Sequence, residues 1–258
     1  MFIFMHHFIR FYYPSAGSNP VLLMRDGHLT SSIPLELGKP LSLEFIEKRC
    51  IGYRGVSGYF PCPNNAINTK QCPTCRYRDI AKVYTRMDTS GYEAMEEKFK
   101  NREVGIYLAS FGPLVKVGVS ESVERRVYEQ GADFWAEIMR MRAEEAYSME
   151  QIIKERFNIP DAIHGRKKVL FLNSEDNPLP RVIEKMQSDP LLSSYLKDDI
   201  QIKRNSFVYP KNPKRSKGNI SGIISGWKGQ FLFFSNNEES FFADMKAKEG
   251  YVIKINEC

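Results

Sequence analysis

Four of the chain's five cysteines, Cys50, Cys62, Cys72 and Cys75, fall in one short stretch, and the last two close as the knuckle Cys72-Pro73-Thr74-Cys75. A C-x2-C turn aims two thiolates at a single ion, and Cys50 and Cys62 can add two more from the preceding loop. Four soft sulfur donors suit tetrahedral zinc and leave no coordination position open, so the expected role is structural. Two disulfides, an iron cluster and plain buried thiols are the competing readings. A charged chain without a recognisable secretory leader weighs against the disulfides. Cys258 reads as incidental, and His6, His7, His28 and His164 are too scattered to form a histidine-centred site.

A second group of chemically useful side chains is basic. Lys203, Arg204, Lys211, Lys214, Arg215 and Lys217 occur with no acid among them and with Phe207 and Tyr209 interleaved. Six positive charges equal the whole formal excess of +6. Such a segment can neutralise phosphates while its rings offer stacking platforms for bases, or it can be a solvated linker. The glycines at Gly222, Gly226 and Gly229 are not followed by a phosphate-loop signature and read as turns. Trp227, Phe231, Phe233 and Phe234 read as core.

Composition limits the rest. With 258 residues, 42% hydrophobic and 26% charged, the chain can bury one substantial core plus smaller modules. No stretch reaches the roughly 18 apolar residues that a membrane-spanning helix needs. The aromatic opening, Met1 to Tyr13, is interrupted by His6, His7 and Arg10 and lacks the marks of a signal peptide. It reads as an edge strand, or as sequence upstream of a start near Met24.

The elements that must position these groups follow from periodicity. Val21–Met24, a turn at Asp26-Gly27, Ile33–Leu37 and Leu41–Phe45 read as short strands leading to the cysteines. Ile80, Val83, Tyr84 and Met87, then Met95 and Phe99, have helical spacing. Residues 103–120 form the clearest hairpin: Ile106 and Leu108 share a face with Val115, Val117 and Val119, while Gly105, Tyr107, Ala109, Lys116 and Gly118 share the other. A helix from Glu121 to Gln130 turns Val123 and Val127 inward, with Arg126 and Gln130 beside them and Arg125 opposite. After a strand at Phe134–Met139, a helix from Arg142 to Phe157 carries the stripe Ala146, Met149, Ile152, Ile153 and Phe157. Glu145 and Glu150 border that stripe. A strand at Val169–Leu172, a helix through Leu179, Val182, Ile183 and Met186, and strands within 220–234 and at Tyr251–Ile255 complete the pattern.

Gly105-Ile106-Tyr107, Lys116-Val117-Gly118, Arg126 and Met149-Glu150-Gln151-Ile152-Ile153-Lys154 resemble, in this order, the successive motifs of the GIY-YIG nuclease superfamily. That resemblance covers roughly residues 103–158. Lys116 stands where the superfamily has a second tyrosine, Gln130 where a histidine often follows the arginine, and only Asn158 approaches the expected asparagine. More widely, the chain resembles an uncharacterised prokaryotic domain family in which a four-cysteine zinc ribbon precedes such a core. The GIY-YIG resemblance implies that Tyr107 helps to activate water, that Arg126 stabilises developing phosphoryl charge and that Glu150 holds magnesium or manganese. Lys116 beside the Tyr107 phenol is expected to favour phenolate and lower its pKa.

The expectation is therefore a cytoplasmic α+β protein with four parts: an amino-terminal β and zinc-ribbon module (1–78), a helical connector (79–102), a GIY-YIG-like sheet with flanking helices (103–200), and a basic, β-rich carboxy-terminal piece (201–258). Its favoured role is divalent-metal-dependent phosphodiester cleavage of nucleic acid, with Tyr107, Lys116, Arg126 and Glu150 as the catalytic set. The alternatives are a non-catalytic RNA- or DNA-binding module and a protein-interaction scaffold.

Overall fold

A computed structural model describes residues 5–86 and 88–256. Met1 to Phe4, Met87 and Cys258, which the sequence reading used, lie outside the described residues. The fold is mixed α+β. The chain first forms β1 (Met5–Tyr12), β2 (Val21–Asp26), β3 (Leu29–Pro34), β4 (Pro40–Lys48), β5 (Tyr53–Gly55), β6 (Gly58–Phe60), α1 (Pro73–Arg78) and α2 (Ala81–Arg86). The middle holds α3 (Glu96–Lys100), β7 (Glu103–Phe111), β8 (Leu114–Ser120), α4 (Val123–Gln130), β9 (Phe134–Arg142), α5 (Ala143–Phe157), α6 (Gly165–Val169), α7 (Leu179–Gln187) and β10 (Lys203–Arg204). The end adds β11 (Lys214–Arg215), β12 (Ile220–Lys228), β13 (Phe231–Asn236), β14 (Glu239–Asp244), α8 (Met245–Lys248) and β15 (Tyr251–Ile255).

These elements form two units. One takes the chain up to Tyr92 together with everything from Phe207 on, and the other is Glu93–Ser206. The first is built on a nine-stranded sheet in the order β11-β14-β13-β12-β4-β15-β1-β2-β3. The amino-terminal and carboxy-terminal segments, set apart in the sequence reading, thus share one sheet, because β4 pairs with both β12 and β15.

The opening strand is interior rather than an edge. β1 lies between β15 and β2, and a register shift between Phe8 and Arg10 lets the adjacent Phe8 and Ile9 both be buried. The edge belongs to β3, whose Thr30, Ser31 and Ser32 are exposed, a polar rim that discourages pairing with other chains. That strand runs Leu29–Pro34 instead of Ile33–Leu37, because the two-residue loop Gly27-His28 sets Asp26 opposite Leu29. Two glycines read as turns are also something else. A Cβ on Gly226 would stand 1.9 Å from the Val208 carbonyl oxygen, and one on Gly222 would stand 2.3 Å from that of Ser235. Both lie inside β12 where backbones approach closely, and of the three only Gly229 occupies a turn.

The second unit centres on an antiparallel sheet in the order β10-β9-β7-β8. Its hairpin has the expected facing: Tyr107 opposes Gly118, Ala109 opposes Lys116, Ile106 opposes Val119 and Leu108 opposes Val117. The Tyr107 face, lined mostly by small residues, is covered. Tyr107, Ala109 and Phe111 are buried with Val123 and Val127 of α4 and with Trp135. On α5 the buried residues are Ala143, Ala146, Met149 and Ile153, whereas Ile152 is exposed. Residues 169–172 end α6 and continue as turn instead of forming a strand. The cause lies next to them: the buried Lys168 donates to the Gln130 carbonyl at 2.8 Å and stands 4.2 Å from the Phe111 ring centroid, which anchors a helical turn.

Gly118→Ala would put a methyl carbon 2.5 Å from the Tyr107 hydroxyl oxygen and 2.6 Å from its Cζ. Urea denaturation should show a loss of about 1–3 kcal/mol. An unchanged midpoint would mean that the buried ring has room this packing does not provide.

Candidate functional site

The cysteine cluster is assembled by local geometry in the first unit. Cys50 follows β4, Cys62 follows the β5–β6 hairpin, Cys72 is the N-cap of α1 and Cys75 lies in its first turn, with Pro73 favouring the helix start. Gly52 brings the hairpin close, since a Cβ there would stand 1.9 Å from the Phe60 carbonyl oxygen. All four cysteines are buried, free thiols, and their sulfurs lie within 4.8 Å of one another. Cys62 and Cys72 Sγ are 3.7 Å apart. Metal–sulfur bonds of about 2.3 Å in a tetrahedron require sulfurs roughly 3.8 Å apart, so the spacing fits a shared ion, whereas a disulfide needs about 2.05 Å. The Cys72 backbone N–H also donates to Cys50 Sγ at 3.2 Å.

Burial holds the Cys50 and Cys75 thiols up. Burial also pushes on Cys62, but the Ala66 and Asn64 amides and neighbouring cysteines outweigh it and bring that thiol down to about 7. Burial thus favours neutral thiols at Cys50 and Cys75, and an ion bound among the four would displace their protons. The cluster can hold a metal ion.

In the second unit, Tyr107 on β7, Lys116 on β8, Arg126 on α4 and Glu150 on α5 come into one electrostatic neighbourhood. Tyr107 and Lys116 are buried, and Arg126 and Glu150 are half-buried. Gln130 Nε2 donates to the Tyr107 hydroxyl at 2.9 Å, and Lys116 Nζ lies 5.7 Å from the ring centroid. Lys116 Nζ donates to the Asp161 carbonyl at 2.7 Å, and the Lys154 ammonium pairs with the Asp161 carboxylate at 3.2 Å. The segment after α5 is fixed there because Asn158, at φ 52°, ends the helix and the Val117 N–H bonds to the Pro160 carbonyl at the free edge of β8.

The charge states differ from the sequence expectation. Burial raises the Tyr107 pKa, and the nearby Arg126 and Gln130 only oppose that rise, so the phenol stays protonated. Burial, helped by Arg126, lowers Lys116 to about 8. Burial raises Glu150 as well, with Asp161 adding to it and Lys116 opposing. The ammonium does not create a phenolate; the amine itself is the group brought near neutrality. Sequence reasoning missed Asp161, whose only local signal was its place in the turn that Pro160 opens.

The basic segment divides between the units. All six cations are exposed. Lys203 and Arg204 form β10 and sit over Trp135 and Phe134, at 5.0 and 5.5 Å from the ring centroids. Lys214 and Arg215 form β11 beside β14, and Lys214 pairs with Glu239. Tyr209 stacks on Phe233 with centroids 5.1 Å apart, so that face of its ring is already occupied.

These features define an α+β protein with a four-cysteine centre able to hold a metal ion and, in its other unit, a buried lysine set among tyrosine, arginine and glutamate. A family model described as protein of unknown function (DUF2797) matches residues 38–253, and the chain belongs to that family. Searches of curated proteins and of solved structures returned no match. Among the described residues, no helix is long and apolar enough to cross a membrane.

The pKa of Lys116 makes a signed prediction. With a pKa near 10.4 unfolded and about 8 folded, the unfolded chain binds more protons between these values, so stability rises with pH across that window. The cost of burying the charge is present in full below pH 8. Lys116→Met should therefore stabilise the fold at pH 7 by about 1–3 kcal/mol, allowing for the lost bond to the Asp161 carbonyl. Paired denaturation curves should show that gain shrinking as pH rises from 8 toward 10.

Proposed function

We propose that this protein is a cytoplasmic, zinc-stapled enzyme that cleaves phosphodiester bonds of nucleic acid with a core like that of the GIY-YIG nucleases. The observation that carries the reading is the meeting of Tyr107, Lys116, Arg126 and Glu150, from four separate elements, in one partly buried cluster. Zinc is the proposed ion at Cys50, Cys62, Cys72 and Cys75, because four buried soft sulfurs at tetrahedral spacing suit it and a closed shell leaves it a structural part. A reducing cytoplasm keeps such thiols available.

The chemistry divides by charge state. Neutral Lys116 takes a proton from water as the water oxygen bonds to phosphorus and the bond to the leaving oxygen breaks. Arg126, half-exposed, neutralises charge on the non-bridging oxygens. Glu150 would hold magnesium or manganese, which supplies Lewis-acid charge when bound. Tyr107, held protonated, positions the Gln130 amide that donates to its hydroxyl, while the Asp161 carbonyl positions the lysine. Exposed Lys203, Arg204, Lys211, Lys214, Arg215 and Lys217 would neutralise backbone phosphates on either unit.

One observation favours the second reading, a non-catalytic RNA- or DNA-binding module. Tyr107 and Lys116 are 1% and 8% exposed, which leaves little surface for a reacting phosphate. Labelled DNA and RNA panels with magnesium or manganese separate the two. The enzyme reading expects cleavage that rises with pH through about 8, as Lys116 loses its proton, and that falls about 10²-fold in Arg126→Ala and Glu150→Ala. Lys116→Arg, always charged, should bind and not cut. Salt-sensitive binding without cleavage by the wild type would leave only the module. Metal analysis of the purified chain should find about one zinc per molecule, lost in Cys75→Ser; a metal-free wild type would remove the zinc assignment.

A further inference from the structure

Arg25, on β2, is 6% exposed, and its Nη1 is buried with no hydrogen-bond partner. Among the described residues it forms no ion pair with a carboxylate. Its one side-chain bond runs from Nη2 to His7 Nδ1 at 3.2 Å, across the β1–β2 ladder in which His7 opposes Arg25. A guanidinium can only donate, so Nδ1 carries the lone pair and the ring hydrogen is on Nε2. That Nε2 lies 3.2 Å from the carbonyl oxygens of Arg49 and Gly250, and Arg49 directly precedes Cys50. Burial and the adjacent Arg25 hold the His7 pKa down, as this neutral tautomer requires. The imidazole therefore seats the guanidinium without neutralising it.

A buried cation without a counter-charge is strongly unfavourable, so a fold that keeps one generally places an anion beside it. The geometric link runs to the cysteines: His7, which seats the guanidinium, reaches the carbonyl directly before Cys50, and where burial disfavours the charge on Arg25, Cys50, Cys62 and Cys75 favour it once ionised. Four thiolates around a divalent ion retain about two net negative charges in a site closed to water. We propose that Arg25, seated by His7, is the counter-charge of a tetrathiolate metal centre at Cys50, Cys62, Cys72 and Cys75. It acts as a positioning residue outside the ligand set, and the inference rests on the reading that these cysteines bind metal.

The proposal has a signature that simple packing lacks. In the metal-free protein Arg25 faces no full compensating charge and weakens the fold, whereas in the metal-bound protein it strengthens the centre. The test compares full-length wild type, Arg25→Met, Arg25→Lys, Arg25→Gln and Cys75→Ser. Zinc affinity is read by competition with a chromogenic chelator, and stability by urea denaturation with and without zinc. Arg25→Met should bind zinc about 10- to 100-fold more weakly than wild type while its metal-free form is at least as stable. If the methionine variant does not fold, the lysine variant, which keeps the charge, should bind more tightly than the glutamine variant. Equal zinc affinity across these variants, or the same loss of stability with and without zinc, would overturn the role of Arg25. A wild type that binds zinc no better than Cys75→Ser would instead overturn the metal reading on which it rests.

Discussion

Gly118 lacks a Cβ, and the Tyr107 phenol occupies the space that one would fill, with the ring Cζ 2.6 Å from the missing atom. The second unit depends on that exchange. A strand's period of two then puts Lys116 on the same face, opposite Ala109, where another small residue leaves room beside the ring. Val123 and Val127 of α4 close over the phenol, and the same helix turn brings Arg126 and Gln130 to its rim. Burial follows from this packing, and burial is the first cause of the pKa shift at Tyr107, Lys116 and Glu150 alike. The chemistry proposed for the cluster is thus a consequence of how tightly one hairpin and its helices fill space.

What was legible in the sequence was local. The cysteine spacing identified a cluster because a C-x2-C turn forces two sulfurs together whatever surrounds it. The hairpin facing at Tyr107–Gly118 was legible because alternation and a glycine turn set it. The less legible features were set by distant partners. Nothing within Val169–Leu172 reveals that Lys168 is bonded to the Gln130 carbonyl, so its apolar residues look like a strand. Gly222 and Gly226 read as turns because the Ser235 and Val208 carbonyls that crowd them lie elsewhere in the chain. The direction of the Tyr107 shift was misjudged for a similar reason: a neighbouring ammonium can be read from strand pairing, whereas the removal of water cannot.

The two clusters use burial differently. At the cysteines, four closely spaced, buried sulfurs could fill the coordination shell of one ion, and the Cys72 N–H would help to stabilise the Cys50 thiolate. At Lys116, burial reduces the preference for charge and leaves an amine that can exchange a proton near physiological pH. The first arrangement would suit the staple proposed for it, and the second the proton transfer proposed for Lys116.

The path of the chain through the large sheet has a consequence for biosynthesis. β4 pairs with β12 on one side and β15 on the other, and both are translated after the entire Glu93–Ser206 unit. On the ribosome, β4 emerges with neither ladder available, so the meander β1-β2-β3 and the inserted unit can form before the sheet that receives β4 is completed. A nascent chain halted near Ser206 would expose β4's two open ladders, which makes this strand the natural target for chaperone capture during translation.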